Sequence, residues 1–288
     1  PPRSTLFPYT TLFRSHVNSY HGVDITDAKL ALRQYTLKTK EKISFTAYVI
    51  KCVAQAVFEH KRVQSLIKGL WRQQLITYNS VDVASFIERD LGNGESTPDI
   101  LIVRNAHSKS IAEISREIRA AQKPFRQVGG NKRNNPDRKS EILASLPTPI
   151  RKIVWWVLMH SPKLFKRHFG TVVVSSVGMF QSDFSYGVGT TIWPFALIVG
   201  GTGKQSKVVQ KDMSAKIEVR DVLGITTCID HIIIDGAPAA RFVDRMIELI
   251  TSGYEIKPPI TENFPINVAD SVSRSEERRV GKECRSRW

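Results

Sequence analysis

Cysteine is close to absent, with three thiols in 288 residues, at positions 52, 228 and 284. So few exclude a disulfide-stapled scaffold, and Cys52 and Cys228 do not stand at a metal-motif spacing. Both sit in apolar surroundings, which points to a reducing compartment and a cytoplasmic location. No apolar run approaches the roughly eighteen residues that a bilayer-crossing helix needs, which excludes a spanning helix. Acidic side chains are also scarce, 27 Asp and Glu against 42 Lys and Arg. The excess of positive charge suits polyanionic partners (phosphate esters, nucleic acid or an anionic membrane) and equally suits a solvated basic surface.

Part of that charge belongs to the two ends. Residues 1–15 read PPRSTLFPYTTLFRS and residues 274–288 read RSEERRVGKECRSRW. A codon choice for the tail exists whose reverse complement translates, in frame, into the first fifteen residues without a mismatch. The pair looks like one adapter oligonucleotide read in both directions, so both ends are set aside as non-native. They hold eight Lys or Arg and three Glu, five of the fifteen net positive charges, which leaves about +10 on residues 16–273. Those 258 residues suffice for one large domain or two small ones with a substantial core.

Residues 16–26 alternate loosely and suit a strand running into a turn at Asp24 and Thr26. From Ser44, placed to cap, apolar residues recur at Ala47, Ile50, Val53, Ala54, Val57 and Phe58 with helical spacing. Strands follow at 81–87 and 100–103 across the turn-rich LGNGESTP. Ser110 and Glu113 form a capping box for a helix burying Ile111, Ile114, Ile118 and Ala121. Residues 127–140 are a polar, basic loop. PIRKIVWWVLMH at 149–160 reads as a helix started by Pro149 and ended before Pro162. Strands are expected at 171–177, 195–200 and 216–229, then a helix from Pro238 with Ala239, Phe242, Val243, Met246, Leu249 and Ile250 inward. Strands and helices without regular alternation indicate an α+β fold, a mixed sheet backed by helices in a single domain.

Chemistry concentrates in Asp230-His231-Ile232-Ile233-Ile234-Asp235-Gly236, between the last strand and the last helix. A histidine at a strand end, on a turn made by Gly236, projects from a rigid frame. Imidazole titrates near neutrality and can take a proton from a thiol or hydroxyl. Asp235 is close enough to brace the turn. By average composition His-x-x-x-Asp-Gly arises by chance in roughly 2% of chains this long, so it needs company.

It has company. Asp230 to Phe242 resembles the signature of the acyltransferase components of 2-oxo-acid dehydrogenase complexes, whose His-x-x-x-Asp-Gly core the chloramphenicol acetyltransferases share. Val173-Val174-Ser175-Ser176-Val177-Gly178-Met179-Phe180 resembles the family's strand bearing Ser-Asn-Leu-Gly-Met-Phe. Trp193 to Gly200 resembles the Pro-rich turn and strand that follow. HVNSYHGVDIT and ISFTAYVIKCVAQAV resemble the opening strand and first core helix. The similarity covers nearly all of 16–255, so residues 16–273 are expected to be an N-terminally truncated acyltransferase catalytic domain of chloramphenicol acetyltransferase-like fold.

The resemblance implies the chemistry too. His231 would be the general base, and Ser175 would donate a hydrogen bond to the oxyanion, a contribution of about 3 kcal/mol. Ser176 is the neighbouring alternative, and strand alternation turns only one of the two to a given face. Asp235 would hold the histidine turn through an ion pair whose arginine, in relatives, lies upstream of the opening strand; here adapter sequence stands in that region, and the partner is expected to be missing. Acyl-coenzyme A is the implied co-substrate, through residues the sequence does not identify, and a dihydrolipoyl thiol the leading acceptor. The lipoyl group is expected on a separate domain or chain. A homotrimer is implied, with His231 from one chain and Ser175 from its neighbour. Two features depart from the pattern: the family has Arg where this chain has Ile232, and the basic loop with the Trp155-Trp156 helix is additional. The alternatives are an O-acetyltransferase acting on a small-molecule hydroxyl and a non-catalytic assembly domain keeping the fold.

Other signals are weaker. Gly200-Gly201-Thr202-Gly203-Lys204-Gln205-Ser206 lacks the leading glycine and hydroxyl residue of a phosphate loop and reads as a turn between strands. Lys132, Arg133, Arg138 and Lys139 lack the interleaved aromatics that stack on bases, so no nucleic-acid partner is expected. Helix 149–160, flanked by Arg151, Lys152, Lys163, Lys166 and Arg167, is expected to pack on its own domain rather than on an anionic membrane, with Trp155 and Trp156 as core or interface anchors. Histidines 16, 21, 60, 107, 160 and 168 form no metal spacing, and no metal is expected.

Overall fold

The computed structural model describes residues 16–41, 43–68, 74–90, 96–122, 145–178, 183–211 and 214–256, all within one compact unit spanning residues 1–257. The basic loop 127–140 and both adapter-like ends lie outside the described residues. In chain order the elements are β1 (His16–Asp24), α1 (Thr26–Thr39), α2 (Phe45–Glu59), β2 (Leu66–Lys68), β3 (Gln74–Ile76), β4 (Val83–Asp90), β5 (Ser96–Val103), α3 (Ile111–Gln122), α4 (Thr148–His160), α5 (Pro162–Phe169), β6 (Val172–Ser176), β7 (Phe195–Lys211), β8 (Ser214–Asp230) and α6 (Gly236–Ser252). Six strands form one mixed sheet in the order β1-β8-β7-β6-β4-β5, with β2 and β3 a separate ribbon.

Strand β6 is central and parallel to both neighbours, and its Val172-Val173-Val174 run is apolar on both faces because both are covered. Val172 and Val174 join the main core with helix α2, helix α3 and helix α6, while Val173, Ala196 and Cys228 join a smaller cluster on the other face with Phe165 and Trp193. Helix α2 is buried over most of its circumference, as expected for a helix apolar on nearly every side. The Tyr48 hydroxyl on α2 donates to the pair of carbonyls of Leu249 and Ile250, at 3.0 and 2.7 Å, tying α2 to the last turn of α6. Tyr48→Phe should lower stability by about 1 kcal/mol. The check is urea denaturation, with a lower midpoint and an unchanged slope.

Several expectations hold in detail. Glu113 accepts from the Ser110 amide at 2.8 Å and Ser110 Oγ from the Glu113 amide at 3.3 Å, the reciprocal capping box. Phe242, Val243, Met246, Leu249 and Ile250 face inward. Other expectations are corrected. Ser44 holds the cap position of α2 without a side-chain cap bond; its amide instead donates to Ser115 Oγ. The turn at Asp24 and Thr26 opens a full helix, α1, whose buried face is only Ala28, Ala31 and Leu32.

Gly200 to Ser206 is no turn but the middle of the seventeen-residue β7, with a register shift between Val199 and Thr202. A Cβ on Gly200 would lie 2.1 Å from the Ser185 carbonyl oxygen, and one on Gly201 closer still to that of Asp183. These glycines let the segment before β7 cross the sheet at contact distance. Beyond the bulge, β7 and β8 run on as a paired arm whose Val208, Ile217 and Val219 share one face and are 66 to 77% exposed. Helix α4 forms where expected, but it does not bury itself in its own domain: none of its residues is buried. No helix among the described residues is long and apolar enough to cross a membrane.

Candidate functional site

His231 is the first residue after β8, at the head of a turn leading into α6. Four hydrogen bonds fix that turn. Asp230, 3% exposed, accepts the Ile232 amide on Oδ1 at 3.2 Å, while its carbonyl accepts from Ile233 at 3.0 Å. The Asp230 amide donates to the Pro194 carbonyl at 3.0 Å, locking the strand end to the start of β7. From the other side, Arg62 Nε donates to the Ile233 carbonyl at 3.0 Å. Ile233 and Ile234 are buried beneath the turn. His231 itself is exposed, and its side chain makes no hydrogen bond or ion pair with a described residue. The backbone that carries the imidazole is held, while the ring itself is left accessible.

Asp235 occupies the cap position of α6, where its carbonyl accepts from Ala239 at 3.0 Å. Its carboxylate makes no side-chain cap bond and no ion pair with a described residue. A negative charge there is favoured by the helix dipole. Ile232, at the family's arginine position, is 57% exposed and contributes only its amide to the turn. Arg62 and Asp230 are the positioning groups that sequence reading missed. Asp230 stands two residues before the amide it accepts, a side-chain turn spacing legible in principle. Arg62 is 171 residues from Ile233 and gives no local signal.

Ser175 and Ser176 close β6 and are both half-buried. Ser176 pairs with Val199, whose row faces the helix-backed core. Ser175 pairs with Ile198, which packs with the smaller cluster on the opposite face. Ile198 in turn lies opposite Thr226 on β8, and the Thr226 hydroxyl is buried without a hydrogen-bond partner among the described residues. Asp230, the last residue of β8, stands four positions beyond Thr226, about 14 Å along the strand and about 10 Å across two strand spacings, with His231 one residue further in the turn. A histidine and a serine side chain cannot bridge that gap, so one chain does not bring His231 and Ser175 together.

The other reactive side chains are poorly placed. Burial pushes the Cys52 and Cys228 thiols up, which removes them as ready nucleophiles. Burial likewise lowers His21 and His107. Among the described residues no group of three His, Cys, Asp or Glu side chains is arranged to hold a metal ion.

Comparison with known proteins gives the family and the fold. The model of the 2-oxoacid dehydrogenases acyltransferase (catalytic domain) family matches residues 13–131 and 163–256. The dihydrolipoyllysine-residue acetyltransferase component of the pyruvate dehydrogenase complex of Rickettsia conorii is 26% identical over 215 residues, covering 73% of this chain and 40% of that protein. The chain thus spans well under half the length of that relative. The structure of a probable dihydrolipoamide acetyltransferase from Listeria monocytogenes is similar with a TM-score of 0.55 at 21% identity, over 86% of this chain and 89% of the other. That of the cubic core of the pyruvate dehydrogenase multienzyme complex is similar with a TM-score of 0.56 at 19% identity, over 84% of each. The α+β fold read from the sequence is the fold of these cores.

Proposed function

The chain belongs to the 2-oxoacid dehydrogenases acyltransferase (catalytic domain) family, and from that premise we propose that it transfers an acyl group between coenzyme A and a thiol acceptor of the dihydrolipoyl type. His231 is the general base. It takes the proton from the attacking thiol, whose sulfur adds to the thioester carbonyl to give a tetrahedral oxyanion. The Ser175 hydroxyl donates to that oxyanion; collapse breaks the bond to the leaving sulfur, which takes the proton back from the imidazole. The single observation that carries the reading is the fixed turn with its exposed, unencumbered imidazole.

The separation of His231 and Ser175 within one chain supports a site shared between subunits, with the serine coming from a neighbouring chain of a homotrimer. The exposed apolar face of the β7–β8 arm supports self-association as well. Asp235 contributes its carbonyl, which opens α6 directly after the histidine turn. The acceptor's lipoyl group belongs to a separate domain or chain. The experiment is release of free coenzyme A from acetyl-coenzyme A, followed by chromatography, with dihydrolipoamide and with a panel of small alcohols. Turnover with the dithiol is the expected result. Turnover with an alcohol alone would make the protein an O-acetyltransferase, and none with any acceptor would leave an assembly domain.

A further inference from the structure

Helix α4 poses a problem that its own domain does not solve. Nine of its thirteen residues are apolar or aromatic, around nearly the whole circumference, a composition that belongs to a helix covered on every side. One side is covered: the Trp155 ring packs 5.7 Å from that of Phe169, and Met159 lies against the smaller core cluster. The other side is not. Ile150, Ile153, Trp156 and Val157, spaced to share one stripe, are 41 to 62% exposed.

Charge chooses among the possible covers. From Ile142 to Ser182 the chain has no acidic residue, against Arg151, Lys152, Lys163, Lys166 and Arg167. Arg151, Lys163 and Arg167 are exposed on α4 and the adjoining α5. A second copy would bring the same cations against one another, at a cost that grows as water is excluded. Residues 132–162, which include all of α4, also fall outside the stretches matched to the family, so the helix is an addition to the shared catalytic domain. An apolar stripe carrying a tryptophan and rimmed by cations matches the boundary of an anionic bilayer, where indole sits at headgroup depth and each nearby cation adds attraction.

We propose that α4 and the start of α5 form a peripheral docking surface for an anionic lipid bilayer, with Ile150, Ile153, Trp156 and Val157 entering the interface and Arg151, Lys163 and Arg167 meeting headgroups. The surface is independent of the acyl-transfer reading. It takes up the anionic-membrane reading that the sequence set second to packing on the domain.

The test is co-sedimentation of the full chain with vesicles of phosphatidylcholine alone and with phosphatidylserine added. Partitioning should be at least about tenfold stronger onto the anionic vesicles and should fall with salt. An Ile153→Glu, Val157→Glu double variant should lose at least about tenfold in partitioning, and Lys163→Ala and Arg167→Ala about fivefold each. Thermal melting and oligomeric state should stay unchanged, since these side chains are exposed. Equal or absent binding to the two vesicle types, or binding that survives the double variant, overturns the proposal. So does a double variant that dissociates the oligomer, because the stripe is then a contact between copies.

Discussion

His231→Ala is expected to lower the rate of coenzyme A release by about a hundred- to ten-thousandfold, the range for loss of a positioned general base. The fold should not notice. The imidazole is exposed, and the bonds that hold its turn run from Asp230 and Arg62 to backbone atoms of Ile232 and Ile233. The melting temperature should therefore match that of the unsubstituted chain. The loss should fall on kcat with little change in KM for acyl-coenzyme A, because a base acts in the transition state and not on the resting complex. Paired steady-state assays and thermal melts check both halves. Unchanged turnover would remove His231 from the chemistry, and equal loss of activity and folded protein would make it a structural residue.

Ser175→Ala should lower kcat by about a hundred- to a thousandfold, the usual effect of deleting one oxyanion donor, while Ser176→Ala should change it far less. The two hydroxyls are adjacent, of one chemistry and both half-buried, so the pair is its own control. What separates them is the sheet face: Ser176 shares the row of Val199, inside the helix-backed core, and Ser175 the row of Ile198, on the other side. The same kinetic assay on both variants decides it. If Ser176→Ala is the slower enzyme, the oxyanion donor lies on the core face and the face assignment is wrong.

Much of this was legible in the chain because local rules and tertiary outcome agree. The capping box at Ser110 and Glu113, the stripe from Phe242 to Ile250 and the alternation of β8 each encode their own conformation. The His231 turn was legible as a motif. What was not legible depends on residues distant in sequence. Gly200 and Gly201 read as a turn, yet they sit inside β7 because residues 183–185 pass too near for a Cβ. The small buried face of α1 gave too weak a period to set it apart from a turn. Arg62 carries no signature, since its part is a single hydrogen bond to a backbone carbonyl in another region of the chain. For α4 the period gave the helix and its ends, but not its exposure, which follows from where the chain places it.

The most direct test of the central claim, that His231 and Ser175 act on one substrate from two different chains, is a mixing experiment. His231→Ala and Ser175→Ala chains are each expected to be nearly inactive alone. Co-assembled in equal amounts into trimers, they should recover about a quarter of the unsubstituted activity, because at random a quarter of the seams join an intact histidine to an intact serine. A mixture no more active than its two components would mean that both groups are required from the same chain, and the shared site would be contradicted.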